Sequence, residues 1–171
     1  MDAVPELSGI LQRCTEPDYD VELRRAFRTM AERVSAPAMA EALAAAFRAS
    51  DSGFAALFAC LFKHSDDGLR GGMLSILIPS LSAAALEALR QAGFFVYSRS
   101  GPKVVIECMS DLSAEALQVI AAEAEQSDVS VVDRVCDLYS RYPTITKYLP
   151  TQTLAAVLAT VARQYGQNVL P

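Results

Sequence analysis

The stretch GFAALFACLF, residues 53–62, limits the folds open to this chain more than any other. Nine consecutive residues from Phe54 to Phe62 are apolar, the longest such run in the sequence. A membrane-spanning helix needs about twenty, so the run predicts a buried helix and no membrane span. Phe54, Leu57, Phe58, Leu61 and Phe62 follow the 3.6-residue period, and Ala55, Ala56, Ala59 and Cys60 fill the remaining positions. A helix aromatic on one side and small on the other packs closely against neighbours on both, so this one is expected at the centre of the fold.

The same period recurs along the chain. Tyr19, Leu23, Ala26, Phe27, Met30 and Val34 form one stripe, with Arg24, Arg25, Arg28 and Glu32 opposite. Asp18 or Asp20 is placed to cap that helix, and Ser35 with Pro37 opens a second, striped by Met39, Leu43, Ala46 and Phe47. Further stripes are Leu69, Met73, Ile76 and Leu77; Leu117, Ile120, Ala121 and Ala124; Val132, Val135, Cys136 and Tyr139; and Leu154, Val157, Leu158 and Val161. Ser82 and Gly93 bracket a short helix. The expectation is an all-α, compact multihelical bundle of about eight helices. It forms a single domain over residues 18–165, after a flexible arm at 1–17 punctuated by Pro5 and Pro17. FFVYSRSGPKVVIECM, near residues 94–108, breaks the pattern. Its aromatic and β-branched residues around Ser-Gly-Pro suit either a short β-hairpin or an irregular apolar loop.

Charge and cysteines narrow the function classes. The net charge is −5, without the basic footprint of a nucleic-acid-binding protein. From Pro143 onward there is no Asp or Glu, and Lys147 and Arg163 there are read as a solvated face. The cysteines at 14, 60, 108 and 136 make no CxxC pair, so no metal site or disulfide framework is expected. MDAVPELSGILQRC is acidic at once and lacks an apolar run of signal-peptide length, which gives the expectation of a reducing cytoplasm.

LFKHSDDGLRGGM, residues 61–73, holds the only histidine, His64, beside Asp66-Asp67 and the Gly71-Gly72 pair. A catalytic histidine needs a nucleophile and an orienting acid within hydrogen-bond reach, and adjacent residues on a turn rarely face one another. One histidine without ligand spacing makes no metal site, and a lone Gly-Gly is not a phosphate loop. The stretch is better read as a helix junction: Lys63-His64 closes one helix and Asp66 opens the next, both suited to the helix dipole. No catalytic, cofactor-binding or metal residue is assigned.

Two surfaces remain. Phe94 and Phe95, with Tyr139, Tyr142 and Tyr148, are candidates for an interaction surface beside Arg141 and Lys147. Phe58, Phe62, Met73 and Ile76 are candidates to line an inter-helix pocket for a small apolar ligand. The expected function is a non-enzymatic protein-interaction or self-assembly module, with a protein partner or a second copy bound through apolar helix faces. A carrier of a small apolar ligand or lipid comes next, and an enzyme using His64 last.

The final third, DLSAEALQVIAAEAEQSDVSVVDRVCDLYSRYPTITKYL, resembles the C-terminal region of the YidB-like bacterial proteins, a family of unknown function. The resemblance rests on the opening Leu112 to Glu115, the helix Asp128 to Val135, Tyr139 with Pro143, and Lys147. Upstream, LFKHSDDGLRGGMLSIL is similar to that family's Phe-rich helix, polar turn and Gly-Met helix, so the likeness covers about residues 38–162. The chain departs from the family's pattern at FFVYSRSGPKVVIECM and at Tyr148-Leu149-Pro150. The resemblance implies an all-helical fold and transfers no activity and no site residue.

Overall fold

A computed structural model describes residues 18–104 and 111–167. Helices dominate, as the 3.6-residue stripes predict. The contacts gather into two compact units: one of residues up to 51 together with those from 136 onward, the other of residues 52–135. A single domain over 18–165 was expected. No Gly/Pro-rich linker or shift in composition marks either crossing, and the second division falls inside a helix, α7 (Ser130–Tyr139). The arm expected at 1–17 lies outside the described residues.

In the first unit, α1 (Tyr19–Ala31) and α2 (Ala36–Ala49) are joined by α8 (Pro143–Thr146) and α9 (Thr151–Gln167). The last helix packs most extensively on α2 and next on α1. Leu23, Phe27 and Met30 of α1, Leu43 and Phe47 of α2, and Leu154, Val157, Leu158 and Val161 of α9 are all buried. These are the stripes read from the sequence. Ser35 caps α2, its hydroxyl accepting from Ala38 N at 3.4 Å. At α1 the N-cap residue is Asp18, but its side chain makes no capping bond; Asp20 is engaged elsewhere, as described below.

In the second unit, α3 (Gly53–His64) lies chiefly along α6 (Ala114–Ser127). Phe54, Leu57, Phe58, Leu61 and Phe62 are at most 3 % exposed, which makes α3 the buried helix foreseen. On α6 the facing residues are Leu117, Ile120, Ala121 and Ala124, all buried and one to two turns apart. Helix α4 (Asp67–Leu77) runs into a 3₁₀ turn, Ile78–Ser80, where Pro79 ends the α-helical ladder. Helix α5 (Ala83–Gln91) follows, capped by Ser82, whose hydroxyl accepts from Ala85 N at 3.2 Å. Gly93, at φ +84°, ends it in the left-handed conformation that glycine adopts without strain. Ser113 caps α6 in the same way, accepting from Ala116 N.

Between α5 and α6 the chain forms an antiparallel hairpin, β1 (Phe95–Ser98) with β2 (Gly101–Val104), pairing Phe95 with Val104 and Ser98 with Gly101. The hairpin alternative therefore holds for this part of 94–108; residues 105–108 lie outside the described residues. The turn is Arg99-Ser100, one step earlier than the Ser-Gly-Pro reading. Pro102 sits within β2 opposite Tyr97. A two-stranded sheet has only edges, so a proline is tolerated there.

Candidate binding cleft

The helix junction comes first, because it held the only histidine. His64 is the last residue of α3, half-buried. Burial first, and then the charge of Lys63, hold its imidazole below the usual histidine range. Ser65 is buried, and its hydroxyl donates to Leu61 O at 2.7 Å. Asp66 caps α4, its Oδ1 accepting from Leu69 N at 2.8 Å. Arg70 reaches back to the end of α3, where Nε donates to Phe62 O at 2.9 Å and Nη2 to Lys63 O at 3.1 Å. Its guanidinium lies 5.4 Å from the Phe62 ring centroid and pairs with Asp67 at 3.3 Å. The last carbonyls of a helix have no partner within it, and here an arginine of the next helix supplies one. The junction reading of 61–73 matches this geometry.

Three of the four candidate pocket residues pack as core. Phe58, Phe62 and Met73 are buried, with the two rings 6.3 Å apart and tilted, while Ile76 is half-buried. The candidate interaction surface divides. Tyr142 and Tyr148 are exposed, at 41 % and 46 %. Tyr139 is 1 % exposed, which corrects its place on that surface. It continues the inward stripe of Val132, Val135 and Cys136, and one helix cannot turn that face both ways. Phe94 is likewise buried, drawn in as the chain leaves Gly93. The side chain of Phe95 lies outside the described set.

Among the described residues, the first unit holds a cleft of about 460 Å³ lined by Val21, Arg24, Arg25, Arg28, Lys147 and Tyr148. Its α1 wall follows from spacing: residues 21, 24, 25 and 28 share one helix face. Its other wall is the turn after α8. Arg24 ties the two together, with Nη1 donating to Lys147 O and to Leu149 O, the latter at 3.2 Å. Arg24 Nε donates to Asp20 Oδ2 at 2.9 Å, and Thr151 Oγ1 donates to Asp20 Oδ1 at 2.5 Å. The bond from Arg24, then that from Thr151, hold the Asp20 carboxyl below the usual carboxylate range. The Arg24 and Asp20 charges thus offset each other, and the cleft's remaining cations are Arg25, Arg28 and Lys147.

Arg25 and Arg28 are exposed and make no ion pair among the described residues. The Lys147 ammonium lies 5.0 Å from the Tyr148 ring centroid. Val21, at 60 % exposure, and Tyr148 give the rim apolar surface. A second depression, near Ala46, Ser50 and Thr153, measures only about 90 Å³, well under the ~300 Å³ of the smallest ordinary ligand sites.

Sequence reasoning reached Lys147 and Tyr148 but read Arg24, Arg25 and Arg28 as an outer face. The usable signal was three arginines at one-turn spacing together with the acid-free tail from Pro143. Nothing in the sequence shows that α1 and the turn after α8 adjoin, more than a hundred residues apart. Among the described residues no group of three His, Cys, Asp or Glu side chains is placed to hold a metal ion, and no helix is long and apolar enough to cross a membrane. Set against family models, curated proteins and solved structures, the chain finds no match in any of the three.

Proposed function

We propose that this chain is a non-enzymatic protein-binding module whose partner docks at the cleft between α1 and the turn after α8. One observation carries the reading: exposed Val21 and Tyr148 flank exposed Arg25 and Arg28 around a single concavity. Aromatic residues and arginine dominate the energetics of protein interfaces, because each combines a large apolar area with directed hydrogen bonds. The surface is also pre-formed. Arg24 fixes the turn against α1 in the free chain, so less ordering is lost on binding. The cysteines at 14, 60, 108 and 136 form no CxxC pair or disulfide framework, which fits a reducing compartment, and we place the protein in the cytoplasm.

A photo-crosslinking residue at position 148 tests the reading, with position 119 as control, since Val119 is 67 % exposed on α6. The expected result is a discrete adduct at 148 and none at 119, weakened several-fold by Val21→Asn. An adduct of twice the chain's mass identifies a second copy as the partner, and any other discrete mass a different protein. Equal labelling at both positions, or none at 148, refutes the proposal.

A further inference from the structure

We infer that the partner segment taken by this cleft is acidic: a short stretch of chain in which carboxylates alternate with apolar side chains. The inference rests on the docking reading above and names the chemistry of its occupant. Three features point the same way. The first is uncompensated charge. Asp20 accepts from the cleft residue Arg24 and from Thr151, and among the described residues Arg25, Arg28 and Lys147 make no ion pair, so their positive charge is left for a ligand. Glu22, on the same helix, is half-buried and already engaged, and it is absent from the cleft lining.

The second feature is the kind of cation. Two of the three are guanidinium groups one turn apart, whose planar forks match carboxylates bidentately. The third is the apolar rim, Val21 and Tyr148, which offers contact to side chains between the carboxylates. A volume of about 460 Å³ suits a few side chains. A long polyanion fits less well, because the whole chain carries −5 and would repel it outside the cleft.

The test is fluorescence anisotropy on the intact protein with four probes: a short Glu/Leu/Tyr peptide, its Gln-for-Glu counterpart, a single-stranded oligo-dT, and phosphatidylglycerol vesicles. Binding is measured at about 25 mM and about 250 mM salt, where the screening length differs roughly threefold. The acidic peptide is expected to bind about tenfold more tightly than the Gln peptide, and to weaken by about tenfold in Arg25→Glu/Arg28→Glu and at the higher salt. Arg25→Gln/Arg28→Gln, which adds no repulsion, is expected to fall between. Both positions are exposed, and an unchanged circular dichroism spectrum verifies the fold. Equal binding of the Glu and Gln peptides, indifference to the arginine variants, or tighter binding of oligo-dT or vesicles overturns the inference. If the crosslink at 148 persists while the acidic peptide fails, the charge inference alone is lost; if the crosslink is absent, the docking reading is lost as well.

Discussion

Replacing Arg70 with alanine removes its bonds to Phe62 O and Lys63 O, its pair with Asp67, and its stacking on Phe62. The bond to Phe62 O is partly buried and charge-assisted, about 1–1.5 kcal/mol; that to Lys63 O is exposed, about 0.5 kcal/mol. Stacking on the ring adds about 0.5–1 kcal/mol. The Asp67 pair adds about 0.3 kcal/mol, because Asp67 is 60 % exposed and solvent screens it. The loss is about 2–3 kcal/mol, or about 5–10 °C in melting temperature for a chain of this size. Arg70→Lys keeps the charge without the fork and is expected to lose about half as much. Asp67→Ala is expected to stay within about 0.5 kcal/mol. Urea unfolding followed by far-UV circular dichroism gives all three values. The reasoning fails if Arg70→Ala costs under about 0.5 kcal/mol, or if Asp67→Ala costs as much as Arg70→Ala, since the ion pair rather than the carbonyl bonds would then hold the junction.

Tyr139→Ala is expected to cost about 3–5 kcal/mol as a large core truncation, whereas Tyr142→Ala, at 41 % exposure, stays within about 0.5 kcal/mol; thermal melts of the pair test the division of the tyrosines. The depressed Asp20 carboxyl contributes stability that is complete above its unfolded pKa, near 3.8, and is lost as pH falls through its lower folded value. Asp20→Asn should therefore flatten the fall of melting temperature below pH 4, and an unaltered slope counts against the Arg24–Asp20–Thr151 link. Glu87, held to about 2 by Arg90 and then Gln91, should titrate in that range by carboxyl NMR and move back toward 4.5 in Arg90→Ala. Cys136 is fully buried, so peptide mapping after iodoacetamide should find it alkylated only once the protein unfolds; rapid labelling under native conditions would contradict its placement.

Local physics was readable residue by residue. Ser35, Asp66, Ser82 and Ser113 cap helices through bonds three residues ahead, so the information lies within one turn of chain. The buried stripes were equally plain, down to Tyr139 at the end of the α7 series, although that residue was also assigned to a surface. One residue cannot serve both, and the periodicity was the stronger signal. The two arginine ties were not foreseen. Arg70 acts across a junction whose turn geometry must be known first, and Arg24 acts on carbonyls 123 and 125 residues away. A guanidinium looks alike in sequence whether it faces water or a helix end, because its role is set by which orphan carbonyl the fold brings near. The two-unit organisation was hidden for a related reason: the second crossing lies inside α7 and the first is an ordinary break between helices at Asp51-Ser52, so no change of composition marks either.

The interrupted first unit constrains the order of events during synthesis. Helices α1 and α2 leave the ribosome early, but the α9 stripe that covers them is made last. At ordinary elongation rates, residues 52–135 occupy roughly 5–15 s, during which those two greasy helices wait uncovered, and the intervening unit is complete before α9 is made. A chain truncated after residue 135 and freed from the ribosome should therefore yield a protease-resistant fragment from the middle of the sequence and a sensitive leading end, and α1 and α2 form the stretch where a holdase would be most useful.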